Sequence, residues 1–220
     1  YDSALKMVDA ARKYGLVLME NFQFIHHSQH QFVKNLVEDG RIGSLRLLRA
    51  SFGFPPLDKD NFRYDPTLGG GVLIDAAAYM VKVSQFWLGG NLKVKAATLN
   101  YVNGVDIHGG AYLTGENGEI SEVAFGMDNF YQCNYELWGS EGKITADRAY
   151  TAPPGFKPKI TLEYQGAIEE WDVDADNHFI NLLRAFNERV DVGSNELVYE
   201  ELLNQSRLLY ELKTKAMDRE

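Results

Sequence analysis

Residues 72–88, Val-Leu-Ile-Asp-Ala-Ala-Ala-Tyr-Met-Val-Lys-Val-Ser-Gln-Phe-Trp-Leu, have helical character but are apolar on almost every side. A surface helix needs one apolar stripe, whereas a helix apolar all round must be covered all round. Other elements must therefore pack around it in more than one layer. Gly69, Gly70 and Gly71 precede it and release the backbone for a sharp turn or a close approach. The pattern predicts a helix start at Val72, with Asp75 and Tyr79 one turn apart on one face. A carboxylate and a phenol are costly to bury without partners. Spacing alone leaves two readings: a hydrogen bond that ties the helix to a neighbour, or an acid/base pair beside a glycine-rich turn.

The flanking sequence supplies the other layers. Residues 3–14 read as an amphipathic helix with Ala4, Leu5, Val8 and Ala11 on one face and Gly15 as the stop. Leu16-Val17-Leu18-Met19 reads as a strand buried on both faces, as in a parallel sheet. Residues 29–39 form a second helix on Phe32, Val33, Leu36 and Val37, closed by Gly40. Residues 45–54 alternate as a strand, stopped by Pro55-Pro56. From Asn91 the period changes to two, in segments 94–101, 111–114, 120–127, 131–138 and 160–164, with Asn117-Gly118 as a hairpin turn. Two helices close the chain. One spans 178–190, with Phe179, Leu182, Leu183, Phe186 and Val190 as its stripe; the other runs from Ser194 or Asn195 to about Lys213. The expected class is α+β: a large, mostly antiparallel sheet with helices on one face, preceded by a scrap of α/β structure. Val123, Phe125, Tyr135, Leu137, Ile160 and Leu162 are candidates for its inner or its partner face.

Composition narrows the chemistry. The 31 acidic against 22 basic residues give a net charge of -9, with no Lys/Arg cluster, so nucleic acid and anionic membrane are poor partners. No stretch has the length of a membrane-spanning helix and no secretory signal is present. A lone cysteine, Cys133, rules out an internal disulfide framework and fits a reducing cytoplasm; no base lies beside it to make it a nucleophile. His26 and His30 could share a helical face beside His27, but no Cys or carboxylate joins them at ligand spacing, so no metal is expected. Residues 172–177 mimic the start of a calcium loop, yet the sixth-position glycine is missing and Leu183 stands where the twelfth-position Glu belongs. The chain opens at Tyr1 with a helix under way, which is expected of a piece of a longer protein.

Four segments, in order, resemble the Gfo/Idh/MocA oxidoreductases. Glu20-Asn-Phe-Gln-Phe-Ile-His-His-Ser-Gln29 is similar to the entry into that family's second domain, and Leu36-Val-Glu-Asp-Gly-Arg-Ile-Gly43 to the helix end that follows. Arg63-Tyr-Asp-Pro-Thr-Leu-Gly-Gly-Gly-Val-Leu-Ile-Asp75, continued to Tyr79, resembles its glycine signature; Trp138-Gly-Ser-Glu-Gly-Lys-Ile144 resembles its hairpin. The resemblance implies an N-terminal Rossmann domain for NAD or NADP and a C-terminal domain for substrate. Residues 1–22 would be the remnant of the first, and 23–220 the substrate-binding and oligomerisation domain. No G-x-G-x-x-G occurs in the chain, so the main cofactor site and the family's catalytic lysine are expected upstream of Tyr1, and these residues alone are expected to be inactive.

The implied activity is hydride transfer to or from a sugar, with a small-molecule sugar as partner and a homo-oligomer formed through the sheet face. Tyr79 would exchange the proton and Asp75 would orient a hydroxyl or the tyrosine. Arg63, His27 and Tyr64 would contact substrate, and Gly70 and Gly71 would approach the cofactor or receive an anion. Tyr rather than His at position 79 resembles the glucose–fructose oxidoreductase and nucleotide-sugar ketoreductase branch more than the inositol branch, and the segment Arg148-Ala-Tyr-Thr-Ala-Pro-Pro-Gly155 resembles the ketoreductases, which makes a nucleotide-activated ketosugar the expected substrate. Ile25 stands where the family often has Arg, and Ala77 where Gly is usual. The rival readings are a non-catalytic regulatory member that senses a dinucleotide or sugar, and a sheet-pairing scaffold.

Overall fold

A computed structural model describes residues 1–193 and 195–217. Helix α1 (Asp2–Tyr14) leads to a 3-10 turn (Gln23–His26) and helix α2 (Ser28–Glu38). Strand β1 (Leu45–Phe54), a loop with two 3-10 turns and helix α3 (Ala76–Leu88) follow. Strands β2 (Lys93–Val102), β3 (Val105–Thr114), β4 (Ile120–Met127), β5 (Gln132–Gly139), β6 (Gly142–Ala146), β7 (Lys159–Tyr164) and β8 (Ala167–Asp172) precede helices α4 (His178–Val192) and α5 (Glu196–Met217). Ser194, one of the two starts expected for the last helix, lies outside the described residues.

The eight strands form one sheet in the order β2-β3-β4-β1-β5-β6-β7-β8. Every pairing is antiparallel except β1 with β4, which run parallel from Leu47↔Ile120 to Phe54↔Met127. Alternation decides the faces. Leu48, Ala50 and Phe52 of β1 are buried together with Val123, Phe125, Tyr135, Leu137, Ile144, Ile160 and Leu162. The six residues left open between two faces are thus on the inner, helix-covered one. The opposite face is polar and small: Arg49 pairs with Glu122 at 2.8 Å and lies 5.2 Å from the half-exposed Trp138 ring, near Ser51 and Ala124. Helix α3 presses Ala76, Ala77, Met80, Val81 and Val83 onto the inner face, and α5 closes over it with Leu208 and Leu212 in the same core. Lys82, the one charge in α3, buries its stem and reaches Glu201 at 3.2 Å.

Four expectations are corrected. Residues 16–19 form no strand: Leu16 is exposed and its carbonyl accepts the Tyr199 hydroxyl, while Leu18 packs beside the contact of α1 with α5. A strand needs neighbours for its N–H and C=O groups, and the sheet edges, β2 and β8, do not include this segment. Helix α3 starts at Ala76 rather than Val72, because Asp106 on β3 takes the preceding amides. Val72 N–H donates to the Asp106 carbonyl and Leu73 N–H to its carboxylate. In α4, only Leu182 of the expected stripe is buried, while Phe179, Leu183 and Val190 are exposed. Asn181 Nδ2 bonded to the His26 carbonyl at 3.0 Å, and Asp176 bonded to the Ser28 N–H at 2.9 Å, set the rotation of that helix. Finally, β8 and the first half of β3 match no expected strand, and β6 matches only the second arm of the hairpin expected at 138–144. Residues 108–110, His-Gly-Gly, hide the period, yet Gly109 is needed there: a Cβ would stand 2.3 Å from the Thr98 carbonyl oxygen.

Of the three clustered histidines, His30 is structural. His30 is fully buried, with Nε2 at 2.9 Å from the Ala149 carbonyl and Nδ1 at 3.0 Å from the Tyr135 hydroxyl. A carbonyl only accepts, so Nε2 carries the proton and Nδ1 accepts from Tyr135. Both nitrogens are occupied, and no group of three metal-ligating side chains exists among the described residues. Desolvation pushes the His30 pKa down to about 3. The unfolded chain binds this proton near pH 6.5 and the folded chain does not, so this contribution is present above 6.5 and is lost as pH falls towards 3. Urea unfolding is expected to show a falling midpoint across that window, with a shallower fall in His30→Asn.

Candidate active site at the start of helix α3

Tyr79 sits in the first turn of α3 on the side that faces residues 22–24. Its ring is boxed by Phe22 at 5.4 Å, Phe24 at 5.7 Å, Phe52 at 5.3 Å and Tyr150 at 6.3 Å. Such packing leaves the ring little freedom, so the hydroxyl is held in place. That hydroxyl donates to Gln23 Oε1 at 3.1 Å. The residue is half-buried rather than sealed in. Burial is the main cause that lifts its pKa above 10; the Gln23 hydrogen bond acts the other way. At neutral pH it is therefore an uncharged proton donor.

Asp75 caps α3 instead of lying inside it, and makes no capping hydrogen bond of its own. Its carboxylate is bound by Arg63, Nε to Oδ2 at 2.5 Å, with both side chains partly accessible. The Arg63 guanidinium lies over Phe62 at 4.7 Å and Phe54 at 5.9 Å. Asp75 and Arg63 thus act as one neutralised, polar unit beside the phenol. Both still have lone pairs or N–H groups to offer a substrate hydroxyl.

The other expected site residues have internal work. Tyr64 donates to Asp128 at 2.5 Å and accepts from the Leu57 N–H at 3.0 Å, which pins the loop after β1. His27 is buried and caps α2, its Nδ1 accepting the Gln29 N–H at 3.2 Å, which gives it a structural role in this domain. Gly70 and Gly71 donate their N–H groups to the Asp65 and Arg63 carbonyls, each at 2.9 Å, so neither is free for a cofactor or an anion. They are glycines because of packing. A Cβ on Gly70 would be 2.6 Å from the Arg63 carbonyl oxygen; on Gly71, at φ +106°, it would be 2.1 Å from Asp106 Oδ1. Ile25 packs against the core, so no polar group replaces the family's arginine there.

Two residues of this site escaped the sequence reading. Gln23 is buried and bridges the Tyr79 hydroxyl to the Tyr150 carbonyl, through Nε2 at 3.4 Å. Its only local signal was a lone amide between Phe22 and Phe24, which does not name a partner. Asp106 holds the glycine loop, and burial raises its pKa. Its signal was legible: a lone acid between Val105 and Ile107 in an otherwise apolar strand.

With this geometry in place, comparison with known proteins is informative. The profile of the GFO/IDH/MocA C-terminal domain matches residues 30–145. A dTDP-3,4-didehydro-2,6-dideoxy-alpha-D-glucose 3-reductase of Streptomyces violaceoruber is 40% identical over 189 residues, 84% of this chain and 55% of that protein. A 3-ketoreductase from Actinomadura kijaniata, solved in complex with NADP and TDP-benzene, superposes with a TM-score of 0.92 at 34% identity, over 96% of this chain and 66% of that one. An aldose-aldose oxidoreductase from Caulobacter crescentus shares the fold, with a TM-score of 0.87 at 19% identity over 99% of this chain and 67% of that one. The chain spans 55% to 66% of the length of the sugar 3-reductases it matches. The chain belongs to the GFO/IDH/MocA family, whose C-terminal domain its residues 30–145 match.

Proposed function

We propose that residues 23–220 are the substrate and oligomerisation domain of an NADP-dependent reductase of nucleotide-linked ketosugars, and that residues 1–22 belong with a preceding Rossmann domain. The observation that carries this is a neutral, fixed Tyr79 phenol beside the Arg63–Asp75 pair. Reduction of a ketone requires a proton for the new hydroxyl oxygen. A desolvated phenol is a suitable donor, because it keeps that proton at neutral pH until charge develops on the substrate. Arg63 and Asp75 are placed to hold neighbouring hydroxyls, and the aromatic box excludes water from the proton's path.

The chain does not itself fit a dinucleotide: the glycine-loop amides are taken and no phosphate-binding glycine motif is present. NADP, held elsewhere in the intact protein, would supply the hydride. The names of the relatives support this reading, since they include dTDP-sugar 3-reductases and a 3-ketoreductase complexed with NADP. The sheet face with Arg49, Trp138 and Ala124 is the surface we assign to self-association. No helix of the described residues is long and apolar enough to cross a membrane, and a cytoplasmic location is part of the same proposal.

The test is NADPH oxidation by the intact protein against TDP-linked 3-ketosugars and free ketosugars. Turnover of the TDP-linked compounds is expected. NADP binding without turnover of any sugar would instead favour a regulatory member of the family.

A further inference from the structure

Arg148 stands apart from the other charges of the molecule. It follows β6 in the left-handed region, at φ +53°, a conformation that a non-glycine residue adopts only when its surroundings hold it there. Two hydrogen bonds hold it: Gln29 Nε2 to the Arg148 carbonyl at 3.4 Å, and Ala149 N–H to the Cys133 carbonyl at 2.8 Å. The result is an exposed guanidinium set between two aromatic rings, with Tyr131 at 4.6 Å and Phe156 at 5.8 Å. One N–H donates to the Tyr131 hydroxyl at 2.7 Å, and that hydroxyl is itself bonded to Thr151 at 2.9 Å. Among the described residues no carboxylate forms a salt bridge with Arg148; Arg46, Arg184 and Arg189 have none either, but of these four only Arg148 is held over aromatic rings. An unpaired, pre-positioned guanidinium in a chain of net charge -9 is a site for an anion, and its remaining N–H groups suit two oxygens of a phosphate.

Its position relates this site to the phenol. Tyr131 lies one same-face step before Cys133, and Cys133 pairs across the sheet with Phe52, whose ring packs on Tyr79 at 5.3 Å. On the other side, Tyr150 is two residues from Arg148 and packs on Tyr79 at 6.3 Å. The guanidinium and its two rings therefore stand at the same end of the inner sheet face as the proton donor. We propose that Arg148, Tyr131 and Phe156 form a nucleoside-diphosphate subsite, with Arg148 on the diphosphate and an aromatic face for the base. This rests on the ketosugar-reductase reading and adds to it the residues that hold the nucleotide end of the substrate.

The experiment is calorimetric titration of TDP into the intact protein with NADP present, paired with steady-state kinetics on a TDP-linked ketosugar. Arg148→Met is expected to weaken TDP binding about 10- to 100-fold, as loss of a charged hydrogen-bond partner does. KM should rise in proportion, with kcat changed less than about two-fold, since uniform binding is what is lost. Arg148→Lys should recover part of the affinity, because the charge returns without the planar fork. Arg148 is exposed, so thermal unfolding should confirm that both variants fold. Unchanged TDP affinity in Arg148→Met would overturn the subsite. TDP binding that depends on Arg148, in a protein that reduces no ketosugar, would keep the subsite and sink the reductase reading. Reduction of TDP-linked ketosugars with unchanged KM and TDP affinity in Arg148→Met would do the reverse.

Discussion

Tyr79→Phe is expected to lower kcat for ketosugar reduction by about 100-fold, at the low end of what a positioned general acid contributes. The ring would stay in place, because Phe22, Phe24, Phe52 and Tyr150 hold it by its faces and edges. Only the proton and the hydrogen bond to Gln23 would be lost. KM should change little, since the phenol acts mainly as the oxygen of the substrate gains charge. A purely structural tyrosine would behave differently. Its loss would cost the same hydrogen bond, about 1–2 kcal/mol of stability, but leave turnover near wild type. Activity and urea unfolding measured on one preparation separate the two cases. Because burial raises the Tyr79 pKa above 10, the wild-type rate should show no loss of this acid between pH 7 and 9. An earlier alkaline decline would mean that the phenol titrates more easily than its surroundings imply.

Gly71→Ala should damage the fold near the site. At φ +106° an alanine is strained by about 1–3 kcal/mol. Its Cβ would also stand 2.1 Å from Asp106 Oδ1, so the carboxylate must leave the Leu73 N–H it now accepts. Together these predict a loss of about 3 kcal/mol and a fall in Tm of about 6–12 °C for a domain of this size. Gly69→Asn is the control. Gly69 also has positive φ, +77°, but its Cβ would meet only Ile74, at 3.8 Å, and asparagine tolerates the left-handed region. Circular dichroism melts of the two variants check the contrast. Equal effects would mean that the conformation, and not the close approach of Asp106, sets the cost.

Much of this architecture is legible in the residues because it rests on periodicity. The β1 and β4 boundaries match the alternation, and α1, α2 and α3 follow their apolar spacing. Periodicity failed where another force set the geometry. Residues 16–19 have the composition of a buried strand, but no strand of the sheet stands beside them. The stripe on α4 has helical spacing, yet hydrogen bonds from Asn181 and Asp176 turn it outward. Of the site, Tyr79, Asp75 and Arg63 were visible as a motif, and the structure brings them together. Tyr64, His27, Gly70 and Gly71 were visible too, but their polar groups are turned inward, to a carboxylate, a helix cap and two carbonyls.

Local pattern alone determined the class of fold and the buried helix, because side-chain period and turn chemistry act over a few residues; Tyr79 was singled out by the family resemblance. Tertiary structure alone decided which face of the sheet is covered, that Asp106 draws the glycine loop out of the helix, and that Asp75 is held by Arg63. Asp106 lies 33 residues from the Leu73 amide that it bonds, and Gln23 lies 56 from the hydroxyl that it accepts. Contacts at such separations depend on how the layers meet, and no short window of sequence records that.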